Sequence, residues 1–275
     1  MGEDLCAQFE REGYVIVKQV IDPQTVQALR SFFLPVFQRE KTNVLPDAVL
    51  QYPQIRNVLK SSKLVQALTT LLGKPFTVPP HSSVECNRFG VFHTDMTGAE
   101  MNQETFHKNK AFRMVTVAVY LQDNNEYGGG IRLAPGTHTQ PDPYVELTRQ
   151  KASFRQQFNQ SSLKRALKKL SRGRLYDWDK PFREHEHGVD IQSNAGDAII
   201  WDMRMVHRAS PPRVKGSAPH KEKLAIFFTC GANNSITTQA YMKYTTSLPE
   251  NAHLQKTRIN HEMLRATSSP EFIVL

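Results

Sequence analysis

A chain of 275 residues and 31.4 kDa, 39% hydrophobic and 22% charged, holds enough apolar material for a sizeable core, which excludes global disorder, collagen and coiled coil. No window approaches the roughly 18 uninterrupted apolar residues of a membrane span, and Met1-Gly2-Glu3-Asp4-Leu5-Cys6 has no basic stretch leading into an apolar one, so a secretory signal is not expected and the chain reads as cytoplasmic. The 35 Lys and Arg against 26 Asp and Glu give a net charge of +9 and a pI near 9.5, an excess that suits nucleic acid, an acidic membrane surface or an anionic small substrate.

In chain order, residues 9–17 (Phe9-Glu-Arg-Glu-Gly-Tyr-Val-Ile-Val) read as a strand. Ile21-Asp22-Pro23 then opens a helix with Val26, Leu29, Phe32 and Phe33 on one face. A second helix over 64–72 stops at Gly73-Lys74-Pro75, and from about residue 76 to 136 the texture is that of short strands. The clearest is Met114-Val-Thr-Val-Ala-Val-Tyr-Leu121, which runs into the turn Asp123-Asn-Asn-Glu-Tyr-Gly-Gly-Gly130. Residues 140–190 are polar and partly helical, a helical insertion or lid between strands. Within it, Lys164, Arg165, Lys168, Lys169, Arg172 and Arg174 flank Leu163, Leu167 and Leu170 at helical spacing. That pattern reads as a solvated basic face rather than a nucleic-acid arm. Strands return at 196–201 and 223–229, and the tail from Pro249 reads as a helix and a loose end. With no internal repeat and no linker, residues 1–275 are expected to form a single domain.

Cys6, Cys86 and Cys230 lie far apart, so neither a disulfide framework nor a zinc ribbon is indicated, and no P-loop, dinucleotide fingerprint or Ser-His-Asp elbow is present. The informative tripeptide is His93-Thr94-Asp95. On a strand, residues 93 and 95 share a face, which supplies two members of a 2-His-1-carboxylate triad, a set that leaves positions on Fe(II) open for a chelating cosubstrate and dioxygen. A surface His beside a hydrogen-bonding Asp is the plainer alternative. His207, just past the 196–201 strand, is the candidate third ligand, and Lys223 offers a cation at the start of the next strand. Other candidates read as structural. His185-Glu186-His187 suits a solvated loop, His138 a turn, and Trp201 and Phe227 core. Lys108, Lys110 and Arg113 are either a solvated edge or a contact for an anionic substrate.

Four segments resemble the phytanoyl-CoA dioxygenase family of Fe(II)- and 2-oxoglutarate-dependent oxygenases: 9–18 with its following helix, Phe92-His-Thr-Asp95, Gly129-Gly-Ile-Arg-Leu-Ala-Pro-Gly-Thr-His138, and Gly196-Asp-Ala-Ile-Ile-Trp201 with His207. They follow the family's order from about residue 9 to 230. The resemblance implies a mainly β fold with flanking helices, a double-stranded β-helix (jelly roll). It also implies iron held by His93, Asp95 and His207, with 2-oxoglutarate bound beside it and O2 as oxidant. Two positions depart from the pattern. Where the family places an Arg for the far carboxylate of 2-oxoglutarate, this chain has Lys223, which lacks the guanidinium fork, and Arg213 competes for the role. Where members often carry a Ser two residues past the distal His, this chain has Ala209, with Ser210 next to it. The resemblance implies release of succinate and CO2 with hydroxylation of a small-molecule substrate as the default, and Asp95 disfavours halogenation. Desaturation, cyclisation or epimerisation, the same chemistry on nucleic acid, and a non-catalytic binding protein remain alternatives.

Overall fold

The computed structural model describes residues 2–160, 180–213, 222–248 and 266–275. The chain opens with helix α1 (Gly2–Glu12), not with a strand. Phe9, one helical turn from Leu5, joins the core beneath it, and Gly13 at φ +80° ends the helix before β1 (Tyr14–Val17). The strand expected over 9–17 is thus confined to its β-branched second half. Gly13 also meets a spatial demand, because a Cβ there would collide with the His138 ring and the Met205 methyl.

Helix α2 (Pro23–Glu40) starts as its sequence dictates. The Asp22 Oδ1 accepts the Thr25 N–H at 2.7 Å and Pro23 occupies the first helical position. Val26, Leu29, Phe33, Val36 and Phe37 face inward, whereas Phe32 is 39% exposed and packs edge-on against Phe33 and Tyr52. Three elements had no sequence expectation: β2 (Val44–Pro46), α3 (Ala48–Gln51) and α4 (Pro53–Leu59). Helix α5 (Ser62–Leu72) covers the expected second helix.

The strands are β3 (Phe76–Val78), β4 (Ser82–Cys86), β5 (Met114–Tyr120), β6 (Ile131–Leu133), β7 (Val189–Asp190), β8 (Ala198–Asp202), β9 (His207–Ala209), β10 (Leu224–Ala232) and β11 (Phe272–Val274). They form a large sheet in the order β1-β8-β5-β10-β3-β11. In it β4 lies beside the first half of β10, and β2 beside β4. A small sheet, β7-β6-β9, is extended by one bridge between His93 and His207. Alternation sorts the side chains of the large sheet. Val115, Val117, Val119, Ile200, Ile226 and Phe228 face the helical layer and pack with Phe33, Leu59 and Leu64, where a fully buried Phe or Leu contributes about 2 kcal/mol. Ala118, Tyr120, Ile199, Trp201 and Ala225 face the other way and meet Ile131 and Leu133 of the small sheet and Ile191 just past its β7 strand. Two facing, mainly antiparallel sheets (β11 pairs parallel with β3) with helices on one outer face make the expected double-stranded β-helix.

Of the expected insertion at 140–190, the structure describes helix α7 (Pro143–Gln160), which packs against the earlier short helix α6 (Thr97–Met101), and a single helical turn at Lys180–Arg183. The basic run at 164–174 and the tail expected from Pro249 to 265 lie outside the described residues. Among the described residues, no helix is long and apolar enough to cross a membrane.

Candidate active site

His93 and His207 are backbone partners. The His93 N–H donates to the His207 carbonyl at 3.0 Å and the His207 N–H donates back at 2.9 Å, which sets their ring centroids 4.4 Å apart. Strand alternation is not what brings Asp95 to them. His93 makes one bridge, and Asp95 lies in the turn before α6, its N–H held by the Met203 carbonyl at 2.9 Å. Each imidazole is oriented from behind. Nδ1–H of His93 donates to Val91 O at 2.7 Å, and that of His207 to Met205 O at 3.0 Å. Both Nε2 lone pairs therefore face Asp95 Oδ1, at 4.0 and 3.6 Å. The other carboxylate oxygen, Oδ2, accepts the Thr116 hydroxyl at 2.7 Å. Burial holds the pKa of the His207 imidazole well below its ordinary value, against the opposing pull of Asp95, so it is neutral near pH 7.

The three side chains can bring their ligand atoms within 4.8 Å of one another. Two neutral imidazoles with tied Nδ1 atoms and one carboxylate fit Fe(II), and the carbonyl partners of the rings are the outer contacts that such ligands require. The His93 side chain is 42% exposed and that of His207 8%, so the group is open on one side.

That side is a cavity of about 510 Å³, lined by the triad and by Thr116, Tyr120, Trp201, Phe227 and Lys223 among others, within the roughly 300–1,000 Å³ range of ligand pockets. Trp201, buried in the core as expected, and Phe227, packed against the same cluster, also contribute to the cavity wall. Lys223 shares the inward parity of Ala225 and Phe227 on β10. Its Nζ donates to the Arg88 carbonyl at 2.8 Å and sits 5.3 Å from the centre of the Phe89 ring. Burial lowers its pKa to about 8, with the Glu85 carboxylate pulling the other way. Glu85 itself binds Arg88 at 2.7 Å. Tyr120 presents a phenol that burial and the Glu85 charge keep protonated.

The remaining candidates lie elsewhere. Arg213 is exposed, its Nη1 donating to Asn125 O at 2.8 Å, and it does not line the cavity. Ser210 turns its hydroxyl to Asp190 Oδ1 at 2.6 Å, and Ala209 takes the cavity wall. Lys108 pairs with Glu100 and Arg113 with Glu10, and neither these two nor Lys110 line the cavity. His185 and His187 pack ring to ring beside Phe92. His138 is buried in the turn Thr137–Thr139. Sequence reasoning missed Thr116 and Tyr120; alternation puts both on one face of β5, four residues apart, but does not say that this face meets Asp95 and the cavity.

The jelly roll and this donor set define the class, the Fe(II)- and 2-oxoglutarate-dependent oxygenases. Within that class the chain belongs to the phytanoyl-CoA dioxygenase family, whose model matches residues 9–217. No curated protein sequence matches it. Among solved structures it is similar to the epimerase SnoN in complex with Fe3+, alpha-ketoglutarate and nogalamycin RO. The identity is 18%, over 84% of this chain and 83% of that one, with a TM-score of 0.54. HygX from Streptomyces hygroscopicus, with nickel and 2-oxoglutarate bound, is 14% identical over 84% and 86% of the two chains, with a TM-score of 0.56. The carbocyclase SnoK from nogalamycin biosynthesis is 15% identical over 100% and 94%, with a TM-score of 0.58. At these identities the likeness concerns the fold.

Proposed function

We propose that the chain hydroxylates a C–H bond of a small organic molecule in the 510 Å³ cavity. In this reading His93 Nε2, His207 Nε2 and Asp95 Oδ1 hold Fe(II), and Lys223 pairs with the C5 carboxylate of 2-oxoglutarate. The observation that carries the reading is the convergence of the three ligand atoms within 4.8 Å on a cavity that also contains a buried ammonium.

When bound, Fe(II) supplies the oxidative decarboxylation of 2-oxoglutarate by O2 to succinate and CO2, and with it an oxidising equivalent for a substrate C–H bond. The residues of the chain do the positioning. The Val91 and Met205 carbonyls accept from Nδ1 and so turn the Nε2 edge of each ring towards Asp95. Thr116 occupies one oxygen of Asp95, so a single oxygen faces the histidines. Lys223 and the Tyr120 hydroxyl are both cavity-lining donors for a carboxylate, and Phe227, Ile131 and Trp201 exclude water around it.

The test is succinate formation by protein supplied with Fe(II), 2-oxoglutarate and O2. His93→Ala, Asp95→Ala and His207→Ala are each expected to abolish it while circular dichroism stays that of the wild type. Native-rate turnover by Asp95→Ala would sink the ligand assignment. The activities named for the structurally similar SnoN and SnoK favour a second outcome, in which C–H abstraction ends in epimerisation or ring closure. Product mass separates the cases: one oxygen gained, no change, or two hydrogens lost.

A further inference from the structure

Thr94, between the two predicted metal ligands, is 3% exposed and points away from the cavity into a hydrogen-bonded frame around the Asp95 turn. Its hydroxyl donates to Asp142 Oδ2 at 2.7 Å, and the hydroxyl of Thr97 donates to the same oxygen at 2.6 Å. With both hydroxyl protons committed there, the threonine oxygens are left as acceptors. Thr94 Oγ1 receives the Met96 N–H and Thr97 Oγ1 receives the Thr94 N–H, each at 3.2 Å. The amides on either side of Asp95 are therefore fixed by two hydroxyls that one carboxylate orients. The other oxygen of Asp142 accepts the Tyr144 N–H at 2.8 Å and so caps α7. The same end of α7 backs the two histidines, since Tyr144 and Leu147 pack with Phe92 and Val206, the residues just before His93 and His207.

We propose that Asp142 is a positioning residue for the metal centre. Its carboxylate sets the backbone of the 94–97 turn and so the direction of Asp95, coupling the start of α7 to all three ligands. This rests on the metal reading above. Both oxygens of Asp142 are needed as acceptors. Asparagine has the same shape but only one acceptor oxygen, so it cannot serve the two threonines and the helix cap together.

The experiment titrates Mn(II) into the metal-free full-length chain by calorimetry, without oxygen, and records the melting temperature of each variant. Asp142→Asn is expected to weaken Mn(II) binding by about tenfold to a hundredfold, and Thr97→Val by a smaller factor with little loss of stability. Leu64→Ala, a change in the helical layer remote from the turn, is expected to lower the melting temperature and leave Mn(II) affinity unchanged. Wild-type Mn(II) affinity in both Asp142→Asn and Thr97→Val would overturn the proposal. So would a loss in Asp142→Asn no greater than that in Leu64→Ala at matched stability. A wild type that bound no Mn(II), or a His207→Ala variant that bound it equally well, would instead remove the metal reading itself.

Discussion

Lys223 shows how one residue type sets a pH response. An arginine stays charged at any pH the protein survives, whereas this lysine is buried and its pKa lies at about 8. The ammonium that meets a carboxylate is present below about pH 8 and lost above it, so affinity for 2-oxoglutarate should be flat at lower pH and fall as pH rises through that value. Calorimetric titration of 2-oxoglutarate into Mn(II)-loaded protein reads the profile, and a flat response to about pH 10 would exclude Lys223 as the partner. Stability has the opposite sense. The folded pKa lies below the ordinary 10.5, so the unfolded chain binds the extra proton between the two values, and the contribution of this group to stability rises across that window. Lys223→Ala should raise the KM for 2-oxoglutarate more than tenfold, or more than about 1.4 kcal/mol of binding. Arg213→Ala, which changes an exposed side chain outside the cavity, should leave it unchanged; the reverse ranking would transfer the role. At this scale the sequence was informative wherever residue type carries chemistry by itself, as with His93, Asp95, His207 and Lys223. Thr116 was not legible, because a hydroxyl in a β-branched strand acquires meaning only once Asp95 is seen to face it. Thr116→Val preserves the strand shape and removes that hydrogen bond, so Mn(II) affinity should drop about tenfold with the fold intact.

Among the elements, the first boundary was the hardest to read. Tyr14-Val-Ile-Val17 is unmistakably strand-forming, and it drew Phe9 to Glu12 into the same expectation although Leu5 and Phe9 are spaced for a helix. Gly13 is the residue that divides the two. At φ +80° and in contact with the His138 ring and the Met205 methyl, it has no room for a side chain. Gly13→Ala combines backbone strain with a steric clash and should cost about 2 kcal/mol or more, read as a lower denaturation midpoint at unchanged slope. Asp142 was illegible for another reason. Its partners Thr94 and Thr97 lie on a turn more than forty residues earlier, and nothing local in Pro141-Asp142-Pro143 distinguishes a helix cap from a helix cap that also holds a metal loop. The His93-Thr94-Asp95 motif was recognised through a strand that the chain does not form there. The conclusion survives because a turn can place residues 93 and 95 together as well as a pleat can.

Across the whole molecule, the large sheet divides two jobs between its faces. One face is closed by helices and carries most of the core, while the other opposes a small sheet whose edge ends in His93. Global stability should therefore depend little on the ligands and more on the metal itself, which binds only the folded chain. Saturation at a hundred times the dissociation constant adds about 2.7 kcal/mol. Chelator treatment should lower the melting temperature of the wild type towards that of His207→Ala and leave the variant unmoved.

The mutual backbone bonds of His93 and His207 carry a cost in selectivity. The chain positions its donors by its own hydrogen bonds. A site assembled this way accepts whatever divalent ion suits two nitrogens and an oxygen, and intrinsic affinity rises from manganese through iron, cobalt and nickel to copper. The occupant is then decided by supply. Protein recovered from a preparation containing nickel or zinc should arrive already loaded and idle, and iron would have to displace a tighter-binding competitor rather than fill an empty seat.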